Sequence, residues 1–197
     1  KFYNNIIDGV RGSPYEPFNS IWMDGIGLGN FFGYASNNEI YNNVIMNAGG
    51  NGILFMYTGS GEPFHGNLIK NNILYNNSLV QLRVDYSPNF LGSNTFQNNL
   101  MYEEGQTVMV INGKMNAAEY WNQTIAMFNA MNGITTNMWP DVGFTADVIT
   151  DNINGDPLFT DATNEDYLSR DYSLSEGSPA IAAGIGVGLT LDYAGNA

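Results

Sequence analysis

The chain of 197 residues contains no cysteine, so no disulfide bond is available and the redox state of its compartment is not constrained. Basic residues are few, because six Lys and Arg stand against 19 Asp and Glu, for a formal net charge of −13. Nucleic-acid binding requires a basic surface that neutralises phosphates, and the sequence has no basic stripe of this kind. The same charge disfavours polyanionic glycans unless a cation or a local basic spot intervenes.

Long apolar runs are also missing, so the sequence predicts no membrane span. Hydrophobic residues still make up 44% of the chain, which is enough for a single domain, residues 1–197, with a sizeable elongated core. Residues 1–10 already belong to the repeat described below, so we expect no signal peptide within them. Because the repeat already includes the first residues of the chain, we expect the chain to be a fragment of a longer protein.

Asparagine, in contrast, is abundant, with 29 copies, and the doublet Asn-Asn recurs in one apolar setting. The copies are FYNNII at 2–7, IYNNVI at 40–45, IKNNIL at 69–74 and FQNNLM at 96–101, followed by a degenerate copy, ITDNIN, at 149–154. Successive copies are 38, 29, 27 and 53 residues apart. Such spacing indicates one structural unit repeated, with loops inserted in some of the units.

Each doublet is followed by a short apolar run, a polar turn and a second apolar run. Runs of this length, rich in β-branched residues and bounded by Gly, Asn and Ser, are typical of strands. Three short strands per unit predict one coil of a parallel β-helix, and stacked coils bury a shared core at a spacing of about 4.8 Å. The Asn pair is predicted at the tightest corner, where Asn tolerates a left-handed backbone and its side chains stack as a ladder.

One helix is predicted, near residues 116–132. Asn116 is a suitable N-cap and Glu119 lies three residues further on, as in a capping box. An apolar stripe follows at Trp121, Ile125 and Phe128. Two interpretations remain open: the helix braces or caps the coils, or it forms a lid over a cleft.

These Asn-ladder units resemble the right-handed parallel β-helix proteins of the pectate-lyase-like superfamily. The stretch with DPLF at 156–159, YSL at 172–174 and GSPAI at 177–181 is similar to the closing segment of many secreted members. The resemblance implies an all-β, right-handed parallel β-helix of about five to six coils. It also implies a polysaccharide or oligosaccharide ligand and a secreted or cell-surface location. It is not specific for one activity.

The strand after each longer polar turn is assigned to the broad ligand-binding face, with copies at 20–24, 52–56, 79–84 and 107–111. Side chains alternate along a strand. The predicted outward set is therefore Trp22 and Asp24, Leu54 and Met56, Gln81 and Arg83, and Met109 and Ile111.

The candidate catalytic residues are Asp24, Arg83, Asp85 and His65. Asp24 and Asp85 lie two coils apart, about 10 Å by strand spacing, which suits the acid and base of an inverting glycosidase. In a lyase, Arg83 would act as base or carboxylate clamp, with His65 or Lys70 nearby. Alternatively, Arg83 and Asp85 are exposed polar neighbours without chemistry, and His65 packs its loop.

Aromatic rings stack on sugar faces. The candidate substrate-binding residues are Trp22, Gln81, Tyr57 and Tyr15. Acidic residues in the C-terminal part invite comparison with a calcium site, but no EF-hand-like spacing is present and turn formation explains them as well. These residues are Asp147, Asp151, Asp156, Asp161 and Asp166. We predict no metal site and no cofactor, with calcium as the alternative.

Two functions remain open from the sequence. The first is a secreted polysaccharide-active enzyme, a hydrolase or a lyase, although neither the paired Asp residues of polygalacturonases nor the Lys and Arg set of alginate and chondroitin lyases is found. The second is a non-catalytic glycan-binding, adhesin-like or filament-forming β-helix, in which open coil ends associate into an oligomer or filament.

Overall fold

A computed structural model of the chain describes residues 1–9, 24–29, 35–56, 64–85, 91–102, 109–112, 120–123, 125–130, 132, 144–145 and 148–188. The regular structure there is almost entirely β-strand, in segments of two to four residues. One α-helix, α1 (Ile125–Asn129), is found in this part of the chain. None of the described helices is long and apolar enough to cross a membrane. The prediction of an all-β fold built from parallel strands is confirmed.

Two five-stranded sheets flank the Asn doublets, and neighbouring strands in both are parallel. Sheet A precedes the doublets and contains, in order, β1 (Phe2–Tyr3), β4 (Glu39–Tyr41), β8 (Leu68–Lys70), β12 (Thr95–Gln97) and β17 (Val148–Thr150). Sheet B follows the doublets and contains β2 (Ile6–Asp8), β5 (Val44–Met46), β9 (Ile73–Tyr75), β13 (Leu100–Tyr102) and β18 (Ile153–Asn154).

Two further sheets complete each turn of the chain. Sheet C contains β3 (Ile26–Gly29), β6 (Ile53–Met56), β10 (Leu82–Asp85), β14 (Met109–Asn112) and, antiparallel at its edge, β15 (Tyr120–Gln123). Sheet D contains β7 (Phe64–His65), β11 (Leu91–Gly92) and β16 (Phe144–Thr145). The chain passes from sheet A through B, C and D and returns to A. The molecule is therefore a parallel β-solenoid, with four strands in a full turn where the sequence analysis predicted three.

The core is built from inward-facing columns, one residue from each stacked strand. In sheet A, Ile40, Ile69, Phe96 and Ile149 are aligned and at most 2% exposed. Sheet B contributes Ile45, Leu74 and Met101, and sheet C contributes Ile53, Leu82, Phe55 and Val84. The rings of Phe55 and Phe96 are in contact, with centroids 5.7 Å apart. No single turn of the chain could bury these side chains alone, so stacking is what stabilises the fold.

The first residue of each doublet turns the corner between sheets A and B. Asn4, Asn42, Asn71 and Asn98 have φ between 54° and 55°, and Asp151 has φ 58° in the degenerate copy. This is the left-handed region, which Asn and Asp tolerate better than most residues. The prediction of a tight corner at the doublet is confirmed in the described residues.

The second residue of each doublet points inward and forms the predicted ladder. The Nδ2 of each Asn donates to the Oδ1 of the next at 2.9–3.0 Å, and the backbone N–H donates to the same oxygen at 3.1–3.2 Å. The members are Asn5, Asn43, Asn72, Asn99 and Asn152. Each member from Asn43 to Asn152 also donates to a backbone carbonyl of sheet A, so the buried amides are satisfied.

A second ladder, which the sequence analysis missed, lies at the corner from sheet D into sheet A. Asn38 donates to Asn67, and Asn67 to Asn94, at 2.9 Å. The preceding residues Asn37, Gly66 and Ser93 have φ between 56° and 64°. These corners repeat at intervals of 29 and 27 residues, the same as the doublets, so the signal was present in the sequence.

The predicted helix near 116–132 is mostly incorrect. Residues 120–123, including Trp121, form strand β15, which pairs antiparallel with β14, and the helix begins at Ile125. The pairing of β14 with β15 therefore prevails over the local helix pattern. Of the predicted apolar stripe, Ile125 and Phe128 are buried in α1. Asn116 and Glu119 lie outside the described residues.

The C-terminal segment, residues 156–188, leaves the stack after β18. It contains an antiparallel hairpin of β19 (Phe159–Asp161) and β20 (Asp171–Leu174), with a short 3-10 helix, Tyr167–Ser169, between the two strands. Phe159 meets Tyr75 of sheet B edge-on, at a centroid distance of 5.9 Å. The hairpin therefore covers part of the outer side of sheet B.

Candidate functional site

Sheet C differs from the other sheets in the connections that adjoin it. Corners from A to B and from D to A are two residues long throughout. Connections from B to C have 17, six, six and six residues, and two from C to D have seven and five, while the 31 residues between β14 and β16 also contain β15 and α1. Insertions in a repeat protein concentrate on the face that binds, because a rigid scaffold then carries variable loops. Sheet C is therefore the candidate functional face.

Arg83 lies in β10, the third of the five strands of sheet C. Its neighbours Leu82 and Val84 are at most 2% exposed and belong to the core. Side chains alternate along a strand, so the half-buried Arg83 points to the outer side. It is aligned with Leu54 on one side and Val110 on the other. A cation therefore lies on the middle strand of the candidate face, beside Leu54, which is only 1% exposed, so the outer side is largely covered at that point.

Asp24 does not lie in a strand. The strand in this turn of the chain is β3, which begins at Ile26, whereas the sequence analysis placed it at 20–24. The Asp24 Oδ1 accepts hydrogen bonds from the backbone N–H and the Nδ2 of Asn51, both at 2.7 Å. This is the arrangement of a ladder corner, and it gives the carboxylate a structural role at the entry to sheet C.

The register also separates Asp24 from Asp85. Val84 is paired with Phe55, and Phe55 is paired with Leu28, so these three residues lie side by side across the sheet. Asp85 follows Val84 by one residue, whereas Asp24 precedes Leu28 by four. Strand geometry then places their backbones roughly 15–20 Å apart. The two carboxylates of an inverting glycosidase lie only about 6.5–9.5 Å apart. The fold does not bring this pair together at that spacing.

Gln81 immediately precedes β10 and is fully buried. Its Oε1 accepts a hydrogen bond of 2.6 Å from the Nδ2 of Asn77. The predicted outward orientation of Gln81 is therefore replaced by a buried position at the corner before the strand. Gln81 supports the corner and is not exposed to a ligand in this structure.

His65 lies in a different sheet from Arg83. It is the second residue of β7 in sheet D and pairs with Gly92 of β11. Its backbone carbonyl accepts a hydrogen bond from Asn37 N–H at 3.0 Å. Lys70 lies in sheet A, aligned with Tyr41 and Gln97. Neither residue shares a sheet with Arg83.

The other predicted site residues fall partly or wholly outside the described part of the chain. Tyr15, Trp22 and Tyr57 lie outside it, and Asp85 is described as a residue of β10 by its backbone pairing only. The register of β14 differs by one position from the prediction, because Met109 is aligned with Leu82 and Val110 with Arg83. A shift of one residue reverses the faces of a strand.

Among the described residues, no three His, Asp or Glu side chains come together as potential ligands of a metal ion. The acidic residues of the C-terminal segment are engaged in their own turns. Asp156 accepts from Leu158 N–H at 2.9 Å, Asp161 from the Nδ2 of Asn164 at 3.0 Å, and Asp166 from Leu168 N–H at 3.1 Å. Their hydrogen bonds match the turn-forming interpretation of these residues.

A cluster of charged and polar groups that the sequence analysis missed lies at the outer edge of sheet B. The Asp8 carboxylate accepts hydrogen bonds from Arg170 Nη1, from the Tyr172 hydroxyl at 2.7 Å and from Asn47 Nδ2 at 2.8 Å. Burial raises the pKa of Asp8, but the hydrogen bonds from Tyr172, Asn47 and Arg170 outweigh it and hold the pKa below its usual value. Burial, followed by the bond to Asp8, raises the pKa of Tyr172.

Comparisons of the chain with protein-family models, with curated proteins and with solved structures found no match. The fold described above therefore defines the class of this protein as a parallel β-solenoid with internal Asn ladders, and its function has to be inferred from the candidate face.

Proposed function

We propose that the chain binds a polysaccharide or oligosaccharide on the outer side of sheet C, as a secreted or cell-surface β-solenoid. The proposal includes a right-handed coil of about five to six turns, of the pectate-lyase-like kind that the sequence resembles. The single observation that carries it is that, among the connections between sheets A, B, C and D, every one longer than two residues lies at the entry to or exit from sheet C.

A row of stacked strands suits a polymeric ligand. Strands repeat about every 4.8 Å, so the five strands of sheet C extend over roughly 20 Å. A chain of several sugar residues can lie across such a row and contact one turn of the solenoid after another. Arg83, on the third strand, would donate hydrogen bonds from its guanidinium to hydroxyl or carboxylate oxygens near the middle of that path.

A second candidate function is cleavage of the bound glycan. Arg83 and Asp85 are two positions apart in β10, about 6–7 Å along the backbone. A cation beside a carboxylate supplies a clamp and an acid or base, which elimination from a uronate requires. The structural role of Asp24 and the burial of Gln81 reduce the set that could support cleavage, so binding is proposed first.

The test is a panel of plant, algal and bacterial glycans, with binding measured by affinity electrophoresis and calorimetry. Arg83→Ala is expected to weaken binding about tenfold or more, because it removes a charged hydrogen-bond donor. Lys70→Ala is the matched control, since it removes one positive charge from sheet A and is expected to leave the affinity unchanged. Equal affinity in the wild type and Arg83→Ala, or no binding across the panel, would overturn the proposal.

Cleavage is tested on the same panel. New reducing ends with ultraviolet-absorbing products would establish a lyase, and reducing ends without that absorbance would establish a hydrolase. Asp85→Asn is expected to abolish either signal while preserving binding and the far-ultraviolet circular dichroism. Binding without any product would leave the first function standing and exclude the second.

A further inference from the structure

The C-terminal segment (156–188) contacts the solenoid beside four of the stacked strands of sheet B, and each of these strands is called one level of the stack. Beside β18, Gly155 approaches Pro179 so closely that a Cβ atom would lie 2.9 Å from its Cγ. At the next level, Asn98 Nδ2 donates to Ala183 O at 2.7 Å. At the level of β9, the Asn71 side chain donates to the carbonyl of Ile185 at 2.8 Å and accepts from its N–H at 3.0 Å.

The fourth level is the first strand of sheet B. Asp8 ends β2, and it is joined to Arg170 across 162 residues of sequence. The two side chains are 7% and 10% exposed, so solvent screens the pair little. A second residue of the hairpin, Tyr172, donates its hydroxyl to the same carboxylate. The C-terminal segment thus begins beside the last strand of sheet B and reaches the first.

Arg170 is held on both of its sides. Its Nε donates to the backbone carbonyl of Asn164 at 2.8 Å, and its guanidinium carbon lies 3.9 Å from the centroid of the Tyr167 ring. Tyr167 also lies against the backbone at Gly9, where a Cβ atom would be 3.6 Å from its ring. Arg170 therefore connects the tip of the hairpin, through Asn164 and Tyr167, to Asp8 of the solenoid.

Asp8 stands in a column whose other members are not charged. It is aligned with Met46, which is aligned with Tyr75, and Tyr75 with Tyr102. Phe159 packs on Tyr75, and Met46 is fully buried, so this column lies beneath a cover. Asp8 is the member of this column that faces Arg170 of the hairpin, so the two side chains are complementary in charge as well as in position.

In a solenoid each turn contacts only its neighbours, so a segment that joins distant turns couples the opening of parts that would otherwise open separately. We propose that the C-terminal segment is a clasp, held to the turn that contains β2 by Asp8, Arg170 and Tyr172, so that this turn and the segment open together. This inference does not depend on the ligand proposed for sheet C.

The test is amide hydrogen exchange on the full chain. Two amides report on the two coupled parts: beside β2, Gly9 N–H donates to Met46 O at 3.1 Å, and within the C-terminal segment, Ser175 N–H donates to Leu158 O at 2.8 Å. Two interior amides serve as references: Ile73 N–H and Leu100 N–H, which donate to Asn43 O and Asn72 O at 2.8 Å. Arg170→Ala is expected to accelerate exchange at Gly9 and Ser175 about tenfold or more, and to leave the references within about threefold.

The matched control is Glu39→Gln. It breaks the ion pair between Lys1 Nζ and Glu39, 2.9 Å long, which also joins the first turn to the second but has side chains 63% and 30% exposed. We expect no acceleration at Gly9 in this variant, because exposed ion pairs contribute little. Acceleration at Gly9 as large as in Arg170→Ala would show that any contact at the first turn has the same effect, and it would overturn the clasp.

Two further variants keep the proposal falsifiable if Arg170→Ala does not fold. Tyr172→Phe removes one hydrogen bond and is expected to accelerate exchange at Gly9 and Ser175 about threefold. The single variants Asp8→Asn and Tyr172→Phe are compared with the double variant. The acceleration of exchange at Gly9 in the double variant is expected to be smaller than the product of the two single accelerations, because both residues act on one cluster. Independent effects, unchanged exchange at Gly9, or equal acceleration at all four amides would each overturn the proposal.

Discussion

Asn152 donates hydrogen bonds from its backbone N–H and its Nδ2 to the Oδ1 of Asn129, at 3.2 and 2.9 Å. Asn129 is the last residue of α1, yet it occupies the position that the next ladder Asn would take, and its own Nδ2 donates to Asn152 O at 2.8 Å. Phe128 meanwhile packs on Phe96 at a centroid distance of 5.4 Å. The helix therefore ends both the ladder and the aromatic part of the core, as a cap on the coils does.

Removing this terminal ladder residue is expected to destabilise the fold. In Asn129→Ala, the two donors of Asn152 lose their acceptor in a buried position, which costs about 1–3 kcal/mol in the free energy of unfolding. Chemical denaturation followed by circular dichroism measures the loss. Met127→Gln is the control on the same helix, because Met127 is 48% exposed, and a change within about 0.5 kcal/mol is expected. Equal losses in the two variants would contradict the ladder role of Asn129.

An interior ladder residue is expected to be more sensitive. The Asn72 Oδ1 accepts from Asn43 N–H and Nδ2, and the Asn72 Nδ2 donates to Ile40 O and Asn99 Oδ1, all at 2.9–3.1 Å. Asn72→Ala leaves several of these buried groups unpaired, at a cost of roughly 2–5 kcal/mol.

The control for Asn72 lies on the outside of the solenoid. Asn76 donates to Asn47 Oδ1 at 2.8 Å but is exposed, and its φ of 52° is one that glycine adopts without strain. Asn76→Gly is expected to lower the free energy of unfolding by less than about 1 kcal/mol. Thermal unfolding of both variants distinguishes them, and a larger loss in Asn76→Gly would mean that burial of the amide does not determine the energetics of the ladder.

The repeat was predictable because it is local and periodic. The first residue of each doublet must adopt a left-handed backbone, and the second must form the ladder hydrogen bonds. Both requirements are met in the degenerate copy, by Asp151 and Asn152. The inward columns follow from alternation around each doublet. For the same reason the second ladder, Asn38, Asn67 and Asn94, could have been predicted, since it recurs at the same intervals five residues earlier.

The candidate site was harder to predict because it lies where the repeat is interrupted. The 17 residues between β2 and β3 carry no period that marks where the strand resumes, and the strand begins at Ile26 instead of within 20–24. Asp24 was consequently placed on the outer face rather than at the corner. The pairing of Asp8 with Arg170 spans 162 residues and has no local pattern at all, so only the folded chain shows it.

The corner before sheet C is expected to tolerate no side chain at Gly52. A Cβ atom there would lie 2.5 Å from Gln81 O and 2.8 Å from Asn77 Nδ2, so the backbone of a neighbouring turn must move. Gly52→Ala is expected to lower the free energy of unfolding by about 1–3 kcal/mol. Gly27→Ala is the matched control, because no atom lies within 4 Å of the added Cβ, and it is expected to be neutral or slightly stabilising. Thermal unfolding distinguishes the two, and similar midpoints would contradict the close approach.

Lowering the pH is expected to reduce the free energy of unfolding through protonation of Asp8. Burial raises the pKa of Asp8, but the hydrogen bonds from Tyr172, Asn47 and Arg170 lower it below the usual value of 3.8. The unfolded chain therefore binds a proton at higher pH than the folded chain. The contribution of Asp8 to stability is complete above pH 3.8 and is lost as the pH falls through the folded pKa.

At alkaline pH the same cluster responds through Tyr172. Burial, and then the bond to Asp8, raise its pKa above the usual 10.0, so the neutral phenol is favoured in the folded state. This contribution is present below pH 10.0 and is lost as the pH rises through the folded pKa.

Melting temperatures recorded against pH test both predictions. The difference in melting temperature between wild type and Asp8→Asn should be constant between pH 3.8 and pH 10.0 and should shrink below pH 3.8. The advantage of wild type over Tyr172→Phe should shrink above pH 10.0, and differences that persist unchanged at both extremes would show that neither group titrates as described.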